Sequence, residues 1–81
     1  PEKMKIEIVT PDSTIYEGEV SLAQFPGLDG SFEVMNNHAP MIAALKKGKI
    51  KVVEAKKNTL FFDVNGGVVE ILKNKIQVLA E

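Results

Sequence analysis

Apolar and polar residues alternate along most of this chain with a period of two. Over residues 3–10, Met4, Ile6 and Ile8 fall on one side and Lys3, Lys5, Glu7 and Val9 on the other, which predicts a half-buried strand. Pro11-Asp12-Ser13 ends it, because proline has no N–H for a ladder and Asp and Ser bond to nearby backbone. Residues 14–17 predict a short second strand. Gly18 interrupts it, and residues 19–25 resume with Val20 and Leu22 on one face. Pro26-Gly27 and Asp29-Gly30 are turn dipeptides, and Asp-Gly suits a tight hairpin with positive φ at both central residues. Phe32 and Val34 then alternate with Ser31 and Glu33. Asn36-Asn37 predicts a loop, since asparagine tolerates the left-handed region. Residues 41–45 are short and apolar, and their length with flanking Pro40 and Gly48 predicts a strand.

Residues 49–53 and 59–64 predict a hairpin around Ala55-Lys56-Lys57-Asn58. Asn65-Gly66-Gly67 predicts a hairpin turn, and residues 68–72 and 76–79 a last hairpin across Lys73-Asn74-Lys75. No long stretch carries a 3.6-residue apolar period. Short strands with turns every 8–12 residues or so predict an all-β fold, an antiparallel β-sandwich or flattened barrel.

The length of 81 residues predicts one domain, 1–81, whose core is small enough for a partner to matter. Cysteine is absent, which removes disulfides, thiolate chemistry and Cys/His zinc sites. No apolar run approaches the roughly 20 residues that cross a bilayer as a helix, and no secretory or transit signature is visible. Charge is segregated along the chain. Residues 1–33 hold seven acids against Lys3 and Lys5, and residues 46–57 hold six lysines against Glu54. Two solvated faces explain this, and a polarised docking surface is the sharper reading. Arginine is absent, which argues against nucleic acid as a partner.

His38, the one histidine, is the candidate catalyst. It lacks a nucleophile or orienting acid at a diagnostic spacing: Ser21 and Ser31 lie in no elbow motif, and the carboxylates are scattered. Gly66-Gly67 is not followed by the Lys-Ser/Thr of a phosphate-binding loop. No catalytic residue, metal site or cofactor is expected. In residues 39–45 the small side chains Ala39, Ala43 and Ala44 suggest a surface that another chain's backbone can approach. Residues 41–45 are therefore expected to be partly exposed, with Ala43 tolerant of a large substituent.

The order IEIVTPDSTIYEGEV, GSFEV, NNHAPMIAAL, KKGKIKV, NGGVVEI and NKIQVLAE closely resembles the epsilon subunits of rotary F-type ATP synthases, called delta in mitochondria, over essentially the whole chain. His-Ala-Pro followed by a small-residue strand is its most specific part. The resemblance implies a β-sandwich of about ten short strands at the foot of the central rotor stalk. It implies a non-catalytic subunit that links the gamma subunit to the membrane c-ring, so that ion flow is coupled to ATP synthesis. Carried over by position, Thr10, His38, Ala39, Pro40, Met41 and Ala43 would face gamma, and Asp29, Gly30 and Ser31 would approach the c-ring. Membrane association would come only through the complex, on the cytoplasmic face of the bacterial inner membrane or its organellar counterpart.

Glu33 and Asn36-Asn37 depart from the family pattern, which has a small residue and Pro-Gly there. The two-helix C-terminal domain of many members has no counterpart up to Glu81, so inhibition and nucleotide binding are not carried over. The alternatives are a stand-alone β-sandwich interaction domain with a different partner, and a small enzyme using His38.

Overall fold

The computed structural model describes residues 3–81. Pro1 and Glu2, the latter one of the seven acids counted above, lie outside the described residues. The chain forms β1 (Met4–Val9), β2 (Thr14–Phe25), β3 (Phe32–Met35), β4 (Met41–Leu45), β5 (Gly48–Glu54), β6 (Thr59–Val64), β7 (Gly67–Leu72) and β8 (Lys75–Ala80), with no helix among the described residues. The order across the sheet is β4-β7-β8-β1-β2-β5-β6, and β3 pairs with β2 off this path.

β2 organises the fold. Its first half pairs with β1, while residues 22–25 pair with β3 and residues 20–24 with β5. The register shifts between Val20 and Leu22 on the β5 side. The 12-residue strand thus belongs to both halves of the curled sheet. The core between them is built from one face of each strand: Met4, Ile6 and Ile8 of β1, Val69 and Ile71 of β7, and Ile76 and Val78 of β8 meet Phe25, Val34, Ile50 and Val52. Full burial of each such side chain contributes about 1.5–3 kcal/mol.

Four details depart from the sequence reading. The described residues hold eight strands, fewer than the roughly ten that the resemblance implies, and β2 runs unbroken through Gly18 where two strands are expected. A Cβ at position 18 would lie 2.8 Å from the Tyr16 hydroxyl oxygen, so a larger residue there would make the Tyr16 side chain shift. β1 and β8 pair in parallel in an otherwise antiparallel sheet. They lie far apart in sequence, so no tight turn dictates their relative direction. Asn65-Gly66-Gly67 is not a hairpin turn: β6 pairs with β5, whereas β7 lies between β4 and β8, so this link crosses between the two halves. The turn around Asp29 closes with Gly30 N–H donating to Gly27 O at 3.0 Å, and only Gly30 of the Asp-Gly pair has positive φ. Asn37 does adopt the left-handed conformation, at φ 65°.

Candidate interaction surface

The loop before β4 is held by its neighbours. Asn37 N–H donates to Asn74 Oδ1 at 2.8 Å, which ties the loop to the β7–β8 turn, and His38 N–H donates to Met35 O at 3.2 Å. The His38 ring is half-buried, and its Nδ1 donates to the Ala39 carbonyl at 2.7 Å. Among the described residues no acid or hydroxyl bonds to this ring, and no cluster of His, Cys, Asp and Glu could hold a metal ion. The imidazole shapes its loop; the arrangement around it contains no acid–base pair.

β4 is partly exposed, as its composition suggests, but register decides which side chains face out. Met41, Ala43 and Leu45 pair with Ile71, Val69 and Gly67 and share the inward face. Met41 and Ala43 are half-buried against the core, whereas Ile42 and Ala44 are exposed, Ile42 at 71%. Ala43 is therefore not the open position expected from its size. A side-chain period of two places it opposite its neighbours.

Asp29 and Gly30 lie beside this strand. The end of β4 is pinned to the loop after β2: Leu28 N–H donates to Ala44 O and Lys46 N–H donates to Pro26 O, both at 2.9 Å. These two bonds flank the bridge between Leu45 and Gly27. A cleft of about 370 Å³ results, lined by Leu28, Asp29, Gly30 and Phe32 on one side and by residues 41–44 on the other. Four sequence-predicted residues, Asp29, Gly30, Met41 and Ala43, thus share one concavity. Ser31 is exposed at its margin, and Ala39 and Pro40 are exposed ahead of β4.

Thr10 lies elsewhere, in a groove with Val9, Pro11, Gly67, Val68 and Leu79. Its Oγ1 accepts from Ser13 N–H at 3.2 Å and closes its own turn. This groove belongs to a feature that the sequence reading missed. Ala44 pairs with Val68, Val68 with Leu79, and Leu79 with Val9. An apolar row therefore crosses the outward face of β4, β7, β8 and β1. Leu79 is 56% and Val68 42% exposed, and Ile42 extends the row into a patch. The signal was present where alternation breaks: Ile8-Val9, Met41-Ile42, Val68-Val69 and Val78-Leu79-Ala80 are apolar on consecutive positions. A continuous apolar run marks a strand with a use for both faces.

The charge polarity along the sequence is partly cancelled in space. Lys49 pairs with Asp63 at 2.9 Å and Lys3 with Glu19 at 3.7 Å, both exposed pairs of small energetic weight. Tyr16 is pushed up to about 12 by burial, by its hydrogen bond to Glu54 and by that carboxylate's charge. Its hydroxyl donates to Glu54 Oε2 at 2.6 Å, and its ring lies 5.1 Å from that of Phe62. This contact joins the first half of β2 to the end of β5 and lies outside the apolar patch.

Residues 3–81 match the family described as ATP synthase, Delta/Epsilon chain, beta-sandwich domain. The ATP synthase epsilon chain of Chlorobium limicola is 43% identical over 77 residues, which cover 95% of this chain and 88% of that one. The epsilon chain of Salinibacter ruber is 36% identical over a match covering 99% of this chain but only 59% of its own length. Among solved structures, a chain in the Euglena gracilis mitochondrial ATP synthase (OSCP/F1/c-ring) superimposes with a TM-score of 0.91 at 15% identity, covering 99% of this chain and 51% of that one. At that identity the likeness concerns the fold.

Proposed function

Because the chain belongs to the delta/epsilon-chain β-sandwich family of the ATP synthase, we propose that it is a non-catalytic central-stalk subunit joining the gamma subunit to the membrane c-ring. Its work is mechanical. A packed sandwich with two distinct contact regions keeps gamma seated on the ring, so that torque from ion flow reaches the catalytic head. The observation that carries this is the outward apolar row of Ala44, Val68, Leu79 and Val9 with exposed Ile42 beside it. A row this apolar on a solvent face marks a partner.

The gamma-facing surface combines this row with Thr10, which borders its groove, and with His38, Ala39 and Pro40 leading into β4. Met41 and Ala43 support it from the inward side by packing against the core. Asp29, Gly30 and Ser31, with Leu28 at the same exposed turn, form the c-ring contact. The 81 residues act as one sandwich unit. It uses no cofactor, binds neither nucleotide nor nucleic acid, and meets the cytoplasmic face of the membrane only through the complex. The stand-alone alternative is not favoured, because the family match runs from residue 3 to residue 81.

The test is a Val68→Lys/Leu79→Lys double variant, titrated against purified gamma subunit and checked by circular dichroism. Both positions are exposed, so the sandwich should survive. Binding to gamma should fall more than tenfold, since two ammonium groups would have to be desolvated at the contact. Unchanged affinity in the folded variant would move the gamma contact off this face.

A further inference from the structure

The face that carries the apolar row also carries charges, and register lays them out in bands. Two residues along a strand, about 7 Å, bring the next side chain onto the same face. One such step from Val68, Leu79 and Val9 stand Glu70, Gln77 and Glu7, side by side across β7, β8 and β1, with Glu17 of β2 next to Glu7. One step further, Lys75 of β8 stands beside Lys5 of β1. The order across the face is therefore apolar, acidic, basic. The basic band owes nothing to the lysine run of residues 46–57.

These charges are not satisfied within the chain. Glu7 lies directly opposite Glu17 in an antiparallel pair, a juxtaposition that destabilises a sheet. Lys5 and Lys75 share a hollow of about 220 Å³ with these two acids. Among the described residues, however, none of Glu7, Glu17, Glu70, Lys5 and Lys75 forms an ion pair, whereas Lys3 and Glu19 beside them do. The acidic band is continuous with the apolar row, so whatever seats on the row meets carboxylates at its border. An apolar centre with a polar border is how protein interfaces are built.

We infer that the gamma subunit presents the complementary order to this face: an apolar strip, then lysine or arginine over Glu70, Glu7 and Glu17, then carboxylates over Lys75 and Lys5. The inference rests on the stalk reading above and goes beyond it, by naming the partner's chemistry and the work of these charges. Apolar burial is non-directional and does not fix which way the sandwich is turned. Two bands of opposite sign do, because a half-turn would leave the basic band over gamma's apolar strip. A second copy of this chain laid over all three bands would set acid against acid in the middle one. A polyanion would meet the acidic band beside the row.

Two double variants separate band order from net charge, with purified gamma subunit as the probe and association followed by stopped flow. Glu7→Gln/Glu17→Gln should associate about tenfold more slowly than wild type at low salt, and the gap should close at high salt. Lys5→Gln/Lys75→Gln should also associate more slowly, although it makes the chain more acidic. If the lysine variant associates faster while the glutamate variant slows, net charge alone acts and the band order is wrong. If neither rate changes, both bands are plain solvated surface, and face docking through the apolar row still stands. The urea midpoint of the free Glu7→Gln/Glu17→Gln chain should rise, because the opposed carboxylates are gone, so slower binding would not reflect unfolding. A lower midpoint would show that contacts within the chain use these acids, against the inference. If the wild-type chain does not bind gamma at all, the stalk reading fails and the band order fails with it.

Discussion

Gly67 opens β7 at φ +138°, a conformation that side chains rarely adopt. A Cβ added there would overlap the Leu79 carbonyl oxygen and come within 3.1 Å of Ala80 Cα, both in the backbone of β8. Neither can swing aside as a side chain would. Gly30 provides the control: its φ is similar, at +131°, but a Cβ added there would meet nothing within 4 Å. Gly30→Ala should therefore cost only backbone strain, about 1–3 kcal/mol. Gly67→Ala should cost that strain plus the damage to the end of the β7–β8 ladder, where Gly67 pairs with Ala80 and Glu81 N–H donates to Gly66 O at 3.0 Å. At about 1 kcal/mol for each weakened backbone bond, its total is about 3–5 kcal/mol. A chain of this size has only about 4–12 kcal/mol of stability, so Gly67→Ala should be largely unfolded at modest denaturant. Urea melts followed by circular dichroism measure both, with a slope of about 1 kcal/mol per molar urea. Equal losses in the two variants would refute the close approach of β7 to β8 and leave φ alone as the reason for glycine.

Ala43→Trp should destabilise the free chain by about 1–3 kcal/mol, because Ala43 packs inward, while Ala44→Trp should stay within about 0.5 kcal/mol; equal urea midpoints would show that register does not separate them. Tyr16→Phe removes the bond to Glu54, at a cost of about 1 kcal/mol near neutral pH once partial exposure is allowed for. The folded chain holds the Tyr16 proton to about pH 12 against an ordinary value near 10, so this contribution is complete below pH 10 and disappears between about 10 and 12. Wild-type and Tyr16→Phe stabilities should converge across that window in urea melts at stepped pH, and a constant gap would contradict the assignment. His38→Ala should leave the circular dichroism spectrum unchanged and weaken gamma binding by about 1–2 kcal/mol; unfolding instead would make the ring a core element. Isothermal titration of the chain with MgATP should show no saturable heat.

The turn chemistry and strand positions were legible because they are local. Asn37 is left-handed, the hairpin from β5 to β6 closes through Lys57 N–H to Glu54 O at 2.8 Å, and Met4, Ile6 and Ile8 are buried as their alternation predicts. The errors concern pairing. Gly66-Gly67 looks like a hairpin turn because two glycines between strands usually make one. Whether the flanking strands pair depends on where each finds its other neighbours. Likewise Ala43 and Ala44 are identical in the sequence, and only the partnership of β4 with β7 puts one against the core and the other in solvent.

The sequence by itself therefore determined an all-β chain, the places where it turns, and the absence of cysteine and arginine chemistry. Its resemblance to a rotor subunit is carried by the same local motifs. Tertiary structure alone decided that Val9 and Leu79 stand side by side although they sit near opposite ends of the chain, and that Val68 and Ala44 complete their row. The reason is that an alternating pattern states only that two faces differ. Which face is covered, and which edge stays open, is fixed by strands that meet through space.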